Sequence, residues 1–348
     1  MALLLWNEPT AAMRNWWKFL GIGLLLFASI AGLRIPLAPA LVHVSPDRIA
    51  PGPVDVYVTG YNSSFGNDVK VRLVNEGDAV CASSVAVLDG THLTARFDVP
   101  AGFKANLTDV EVDGLTYRGA LFTEGLGSGI VEEQCPGVLD MQNSSAQEVG
   151  FAFPNRSILY ESIRNLHFHV PMWFTMIVLM GISVFQSIKV LGSNSLDRDL
   201  AAEMAVRIGL VFCVLGLITG ALWARATWGA FWTNDVKLNG AAVTGLIYVA
   251  YLVLRGSVQD AHKRARLAAI YNIFAFVLLV LFLFVVPRLN AIDSLHPGNG
   301  GNSGFSDLDL DDRLRVIFYP AVLGWILLGA WMYDLRVRAA RLETTMDR

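Results

Sequence analysis

The sequence predicts an α-helical integral membrane protein with six transmembrane helices and an inserted all-β, Ig-like sandwich domain outside the membrane. Three observations predict it. Near-continuous apolar stretches run at about 17–33, 170–188, 208–223, 238–254, 267–286 and 316–333. A spanning helix needs roughly 20 mostly apolar residues, and these stretches reach that once their interfacial ends are counted. Residues 42–150 read differently, as short alternating runs broken by turn residues. Only 16% of the 348 residues are charged, and the basic ones cluster in the gaps that fall on one side of a six-pass chain.

The elements follow in order. Residues 1–41 form an N-terminal tail and the first helix. Ala38-Pro39-Ala40 resembles a small-residue cleavage site, but two prolines surround it and the apolar run is long for a signal core, so a retained anchor is expected. The strand-like runs of 42–150 begin at Val54, Val69, Val85, His92 and Val110. Turn signals such as Pro51-Gly52-Pro53, Asp89-Gly90 and Asp113-Gly114 separate them. About 100 residues of such text suffice for a sandwich, and Asp89-Gly90 is the hairpin signal singled out here. Residues 151–335 hold the other five helices, with short third and fourth spans, an aromatic loop at 224–237 and a second loop at 287–315. Residues 336–348 are a basic tail.

Arg14 and Lys18 precede helix one; Lys189, Arg198 and Arg207 lie between two and three. Arg255, Lys263, Arg264 and Arg266 separate four from five, and Arg336, Arg338, Arg341 and Arg348 follow six. The excess of cations marks the cytoplasmic side and puts both termini there. The β domain and the two loops then face outward. The spans contain few ionisable residues and no evident breaks, against the pattern of a permease. No Gly-x-x-x-x-Gly-Lys-Ser/Thr segment occurs, which argues against an intrinsic ATP motor. No nucleic-acid partner is expected at a net charge of −3.

Of three cysteines, Cys81 and Cys135 are external and available to pair, whereas Cys213 lies inside helix three as a small packing residue. No Cys-x-x-Cys-His occurs, so nothing points to covalent c-type haem on this chain. The acidic stretch at Asp307, Asp309, Asp311 and Asp312 lacks calcium-loop spacing and reads as a solvated loop. The glycine-rich segment 297–304 is a candidate flap.

The outer loops carry the chemistry. Trp228, Phe231 and Trp232 place three large rings within five residues, followed by Asn234 and Asp235. One reading is an aromatic belt at headgroup depth; the other is a flat apolar surface for a flat amphipathic ligand. His169, in His167-Phe168-His169-Val170-Pro171-Met172-Trp173, opens helix two, and His296 precedes helix six. Either histidine alone reads as a polar end-piece. His167 and His169, two apart on a helix, point in different directions, and Pro171 suits a first helical turn. Together, one external histidine on each side of the aromatic loop can supply two axial imidazoles to one haem iron, with apolar rings keeping water from the macrocycle.

These residues resemble the CcmC-type haem-handling proteins of cytochrome c maturation, related to CcsA and CcmF. Their signature is an external tryptophan-rich loop, W-G-x-x-W-x-W-D, between two external histidines. Here it reads Trp228-Gly229-Ala230-Phe231-Trp232-Thr233-Asn234-Asp235, flanked by His169-Val170-Pro171-x-Trp173 and Ser294-Leu295-His296. The resemblance covers about 155–335 and helix one. Asn234 stands where the family has a tryptophan, Lys237 where arginine is common, and the β domain has no counterpart in compact members.

The resemblance implies a non-enzymatic protein of the bacterial inner membrane that binds haem b at its periplasmic face. His169 and His296 would be the iron ligands. Trp173, Trp228, Gly229, Phe231, Trp232, Asp235 and Lys237 would complete the cofactor site, with Arg225 and Arg288 as further candidates for the propionates. A CcmE-like haem chaperone would receive the haem, and a CcmD-like small membrane protein and a CcmA/CcmB-like ABC transporter would be partners, all in contact with membrane lipid. The alternative is a CcsA-type cytochrome c synthase.

Overall fold

The computed structural model describes residues 11–75, 78–124, 150–289, 294–296 and 310–346. Two compact units result. One comprises residues 1–34 and 161–348, the other 35–160.

The second unit is the expected all-β domain, built from two sheets. The strands are β1 (Ala40–Ser45), β2 (Arg48–Ile49), β3 (Gly52–Tyr61), β4 (Val71–Asn75), β5 (Asp78–Cys81), β6 (Ser84–Val87), β7 (His92–Val99), β8 (Leu107–Val112) and β9 (Leu115–Thr123). One sheet has the order β1-β3-β7-β6 and the other β2-β9-β8-β4-β5. Alternation decides what is buried. Leu93, Ala95, Phe97 and Val99 of β7 point inward and join Val56, Val58, Leu73, Val110 and Val112 in one apolar cluster. The period of two therefore puts one face of each strand into the core.

The tight hairpin is at Asp113-Gly114, where φ values of 44° and 81° join β8 to β9. Both central residues left-handed is the geometry that matches strand twist. Asp89-Gly90 does join β6 to β7, but by a wider loop. There the Asp89 side chain accepts from the Thr91 and His92 amides at 2.7 and 2.8 Å, and the Thr91 amide contact leads the bonds that hold its carboxyl well below the usual carboxylate range. The domain reaches beyond 42–150 at both ends, because the Ala38 amide donates to the Phe153 carbonyl at 2.7 Å. Cys81 is disulfide-bonded, and Cys135 lies outside the described residues.

The first unit holds six helices long and apolar enough to cross a membrane. We label them α1 (Ala11–Arg34), α2 (Leu166–Ser193), α3 (Leu196–Trp228), α4 (Val236–Ser257), α5 (Ala261–Val280) and α6 (Asp312–Met346). Helix three is not short: α3 runs 33 residues, because its polar ends continue the helix past the apolar text. Ser195 and Asp260 cap α3 and α5 by accepting from the amides three residues on, which satisfies donors a helix start leaves over. Pro171 is the sixth residue of α2 rather than part of its first turn. It has no N–H to offer the carbonyl four residues back, so α2 lacks one rung there.

Two features of the helix ends are not legible in the apolar text. Beyond Val280, α5 loosens into a π-helical turn (Leu281–Val285) and a 3-10 turn (Val286–Arg288). Pro287 follows within two residues and cannot continue regular pairing. The helix ends also carry buried charge. Arg255 is no loop residue; it lies in the last turn of α4 and donates to Asp199 of α3 at 2.6 and 2.8 Å and to Glu203 at 2.7 Å. A buried guanidinium needs such partners, since an unpaired charge in a low-dielectric interior is prohibitive. Nearby, Asn272 of α5 donates to Ser183 and Ser187 of α2 at 2.6 and 2.9 Å. Cys213 is free and buried, against Gly245 of α4.

Candidate functional site

At the bundle end where α3 stops and α4 starts, the chain turns sharply. Gly229 ends α3 with φ of 80°, a left-handed conformation that side chains with a Cβ resist. Trp228 is thus the last helical residue rather than a loop residue, which fixes its ring on a rigid element. Arg225 donates to the Gly229 carbonyl, and its guanidinium sits 5.9 Å from the centre of the Phe231 ring. Phe231 and Trp232 stay 57% and 46% exposed, leaving a wet aromatic surface. Asn234, in place of a ring, accepts from Asn239 at 2.8 Å, and Asn239 accepts from the Trp232 indole at 3.3 Å. A polar chain thereby anchors Trp232 to the first turn of α4.

Asp235 is the hub. It caps α4, accepting from the Lys237 and Leu238 amides at 2.8 and 3.2 Å. Its carboxylate also accepts from the Ser294 hydroxyl at 2.6 Å, the Leu295 amide at 2.9 Å and His296 Nδ1 at 2.9 Å. Burial alone would raise this carboxyl. The hydrogen bonds from His296, Ser294 and the Leu295 amide outweigh it and hold the group well below the usual carboxylate range. The clasp brings His296 against Trp228, ring centres 5.0 Å apart and edge to face. With Nδ1 as donor to the carboxylate, the ring's lone pair lies on Nε2.

His169 is placed by packing. It lies on α2 one turn before Trp173, and both rings press into α3 where Gly216 and Gly220 leave room. A Cβ on Gly220 would stand 2.7 Å from His169 Cε1, and one on Gly216 2.8 Å from Trp173 Cε2. His169 meets Trp173 and Trp223 edge to face at 6.3 and 5.8 Å. Its Nδ1 is 3.1 Å from Thr219 Oγ1, while that hydroxyl donates to the Leu215 carbonyl at 2.8 Å. The hydroxyl proton being committed, Thr219 accepts from Nδ1, and again the lone pair lies on Nε2.

His167, two residues earlier, is buried against Gly32 of α1 and takes no part. Lys237 is half-buried in the first turn of α4, and Arg288 is exposed at the end of the 3-10 turn. The flap segment 297–304, and Asp307 and Asp309 of the acidic stretch, lie outside the described residues. Asp311 and Asp312 serve locally, accepting from the Arg313 amide and the Arg315 side chain. No cluster of three metal-ligating side chains occurs among the described residues.

Sequence reasoning did not find Thr219, Trp223, Gly216 or Gly220. The small-x-x-x-small spacing of the two glycines was the available signal for close helix approach. Thr219 and Trp223 follow on the same stretch of α3 at helical spacing.

The fold and the site define a class: a multi-pass helical membrane protein with two oriented imidazoles and a tryptophan-rich surface at one bundle end. The family profile for CcmC, heme exporter protein C, matches residues 144–348, and the chain belongs to that family. Heme exporter protein C of Bradyrhizobium diazoefficiens is 31% identical over 188 residues, 54% of this chain and 68% of that protein. The Escherichia coli K12 protein of the same name is 27% identical over 179 residues, 51% and 69% of the two chains. The match leaves out most of the β domain.

Proposed function

We propose that this chain holds haem b at the periplasmic end of its helix bundle. His169 and His296 are the axial ligands, and haem passes from here to a CcmE-like chaperone for cytochrome c maturation. The observation that carries the reading is the hydrogen bond that each of the two imidazoles makes at Nδ1. Each gives Nδ1 to an acceptor and keeps its lone pair on Nε2, the state in which an imidazole binds iron. The residues fit a porphyrin: Trp228, Phe231 and Trp232 offer ring faces, and Lys237, with Arg225 and Arg288, offers cations for propionates. The cation-rich side of the bundle is cytoplasmic by the positive-inside bias, so the site faces the periplasm. The role is that of a binding and presenting protein rather than an enzyme, working beside CcmD-like and CcmA/CcmB-like partners.

The spectrum of the purified chain tests the reading. A Soret band with a six-coordinate, low-spin signature is expected; a haem-free protein, or one with five-coordinate iron, rejects it. Co-expression separates presenter from synthase. A covalent haem–chaperone adduct is expected, whereas haem attached to apocytochrome without the chaperone establishes a synthase.

Gly220→Ala tests the packing on the His169 side. Its Cβ would collide with the ring, so the ring must turn away from Thr219 or α2 must move. Haem affinity should fall about 10-fold or more, the usual scale for losing a ligand's orienting contacts. Gly181→Ala, which meets nothing within 4 Å, should leave haem titrations unchanged. Equal affinity in both variants removes the groove from the site.

A further inference from the structure

We propose that the two axial bonds are unequal: His296 is the retained ligand, and His169 is the one that opens when haem is handed on. This rests on the bis-imidazole reading above. The difference lies in what each Nδ1 proton meets. His296 donates to a carboxylate, Asp235, that is 3% exposed and fixed by four further hydrogen bonds from Lys237, Leu238, Ser294 and Leu295. An anionic acceptor draws the Nδ1 proton and enriches the lone pair on Nε2, strengthening the bond to iron. His169 meets only neutral acceptors, the hydroxyl of Thr219, whose own proton is spent on the Leu215 carbonyl, and the Gly216 carbonyl. Hydrogen bonds with an ionised partner are roughly twice as strong as neutral ones.

Opening either bond also has different consequences for the protein. If His296 swung away, the Asp235 carboxylate would lose a donor in a buried setting, and segment 294–296 would lose part of its anchor. If the His169 bond opens, the ring stays in its groove between Trp173, Trp223 and Gly220, neutral and still bonded to Thr219. An acceptor's ligand would therefore take the place of His169, while the Asp235–His296 pair would keep hold until transfer is complete. Thr219 and Asp235 are positioning residues in this scheme.

Carbon monoxide is the probe. On the reduced, haem-loaded full chain it replaces the weaker axial histidine, and photolysis then leaves five-coordinate iron on the other. The iron–histidine stretch read by resonance Raman identifies which one remains. Asp235→Asn should lower that frequency, and Asp235→Glu should restore most of it. Thr219→Val should leave the frequency unchanged while speeding carbon monoxide binding about 10-fold, the scale of a lost outer-shell contact. If Asp235→Asn fails to load haem, the Asp235→Glu frequency, shifted from the parent, serves as the readout. A band that follows Thr219→Val, or neither position, overturns the inequality while leaving the two ligands in place. A parent protein that is not six-coordinate before carbon monoxide is added rejects the bis-imidazole reading instead.

Discussion

Haem bound to His169→Ala or to His296→Ala will be five-coordinate and high-spin, and the double variant will show no Soret band. Each single variant keeps one oriented imidazole and the aromatic surface, so some haem remains. Losing an outer-shell partner of a ligand costs about 10- to 100-fold in affinity, and losing the ligand itself must exceed that. A 100-fold loss corresponds to about 2.8 kcal/mol. The two singles should differ as well. His296→Ala also strips Asp235 of a donor at 2.9 Å, and with it part of the clasp that seats Ser294 and Leu295. His262→Ala, at an exposed position by the start of α5, is the control and should retain the parent spectrum. Optical spectra and haem titration of the detergent-purified proteins decide the matter; intact haem content in the double variant would sink the axial assignment.

Which residues of this site could be read from the chain, and which could not, follows from how each is held. His169, His296, Trp228 and Asp235 announce themselves by type and by position between apolar runs. Thr219 does not, because its role depends on a bond to a residue 50 positions away and its type is ordinary in a helix. Asp235 was legible as a member of the loop; its place as the cap of α4 and the holder of His296 required the fold. The β domain shows the same division. Strong alternation gave away β3 and β7. Strand β9 stayed hidden, because Gly119 enters a left-handed conformation at φ of 58° opposite an irregularity between Thr108 and Val110, which breaks its alternation. Helix ends were hard for a related reason. Past the apolar text α6 continues on side-chain pairs such as Arg338 with Asp334 at 2.8 Å, and hydropathy carries no record of them.

The ion cluster at the other end of the same helices had the least sequence signature, and its removal should have the largest effect on stability. Arg255 and Asp199 are 7% and 8% exposed, and Arg255 also reaches Glu203 at 2.7 Å. Asp235 and Arg255 terminate the same helix, α4, about 30 Å apart at 1.5 Å per residue. One holds the candidate haem end and the other ties α4 to α3. Arg255→Met keeps most of the volume and removes the charge, leaving Asp199 buried beside Tyr251 without its main partner. Breaking a buried pair from one side costs about 3–5 kcal/mol. Glu203 suffers less, since Arg207 still bonds it at 2.8 Å. Thermal unfolding of the detergent-solubilised variant should show that loss, and Arg255→Met/Asp199→Leu should recover much of it, because two well-packed apolar residues often match a buried pair. If the single variant unfolds like the parent, Arg255 is hydrated rather than sealed between α3 and α4. If the single is destabilised and the double recovers nothing, the cluster holds α4 by its hydrogen-bond geometry. In that case loosening it should also weaken haem binding at the far end of the helix.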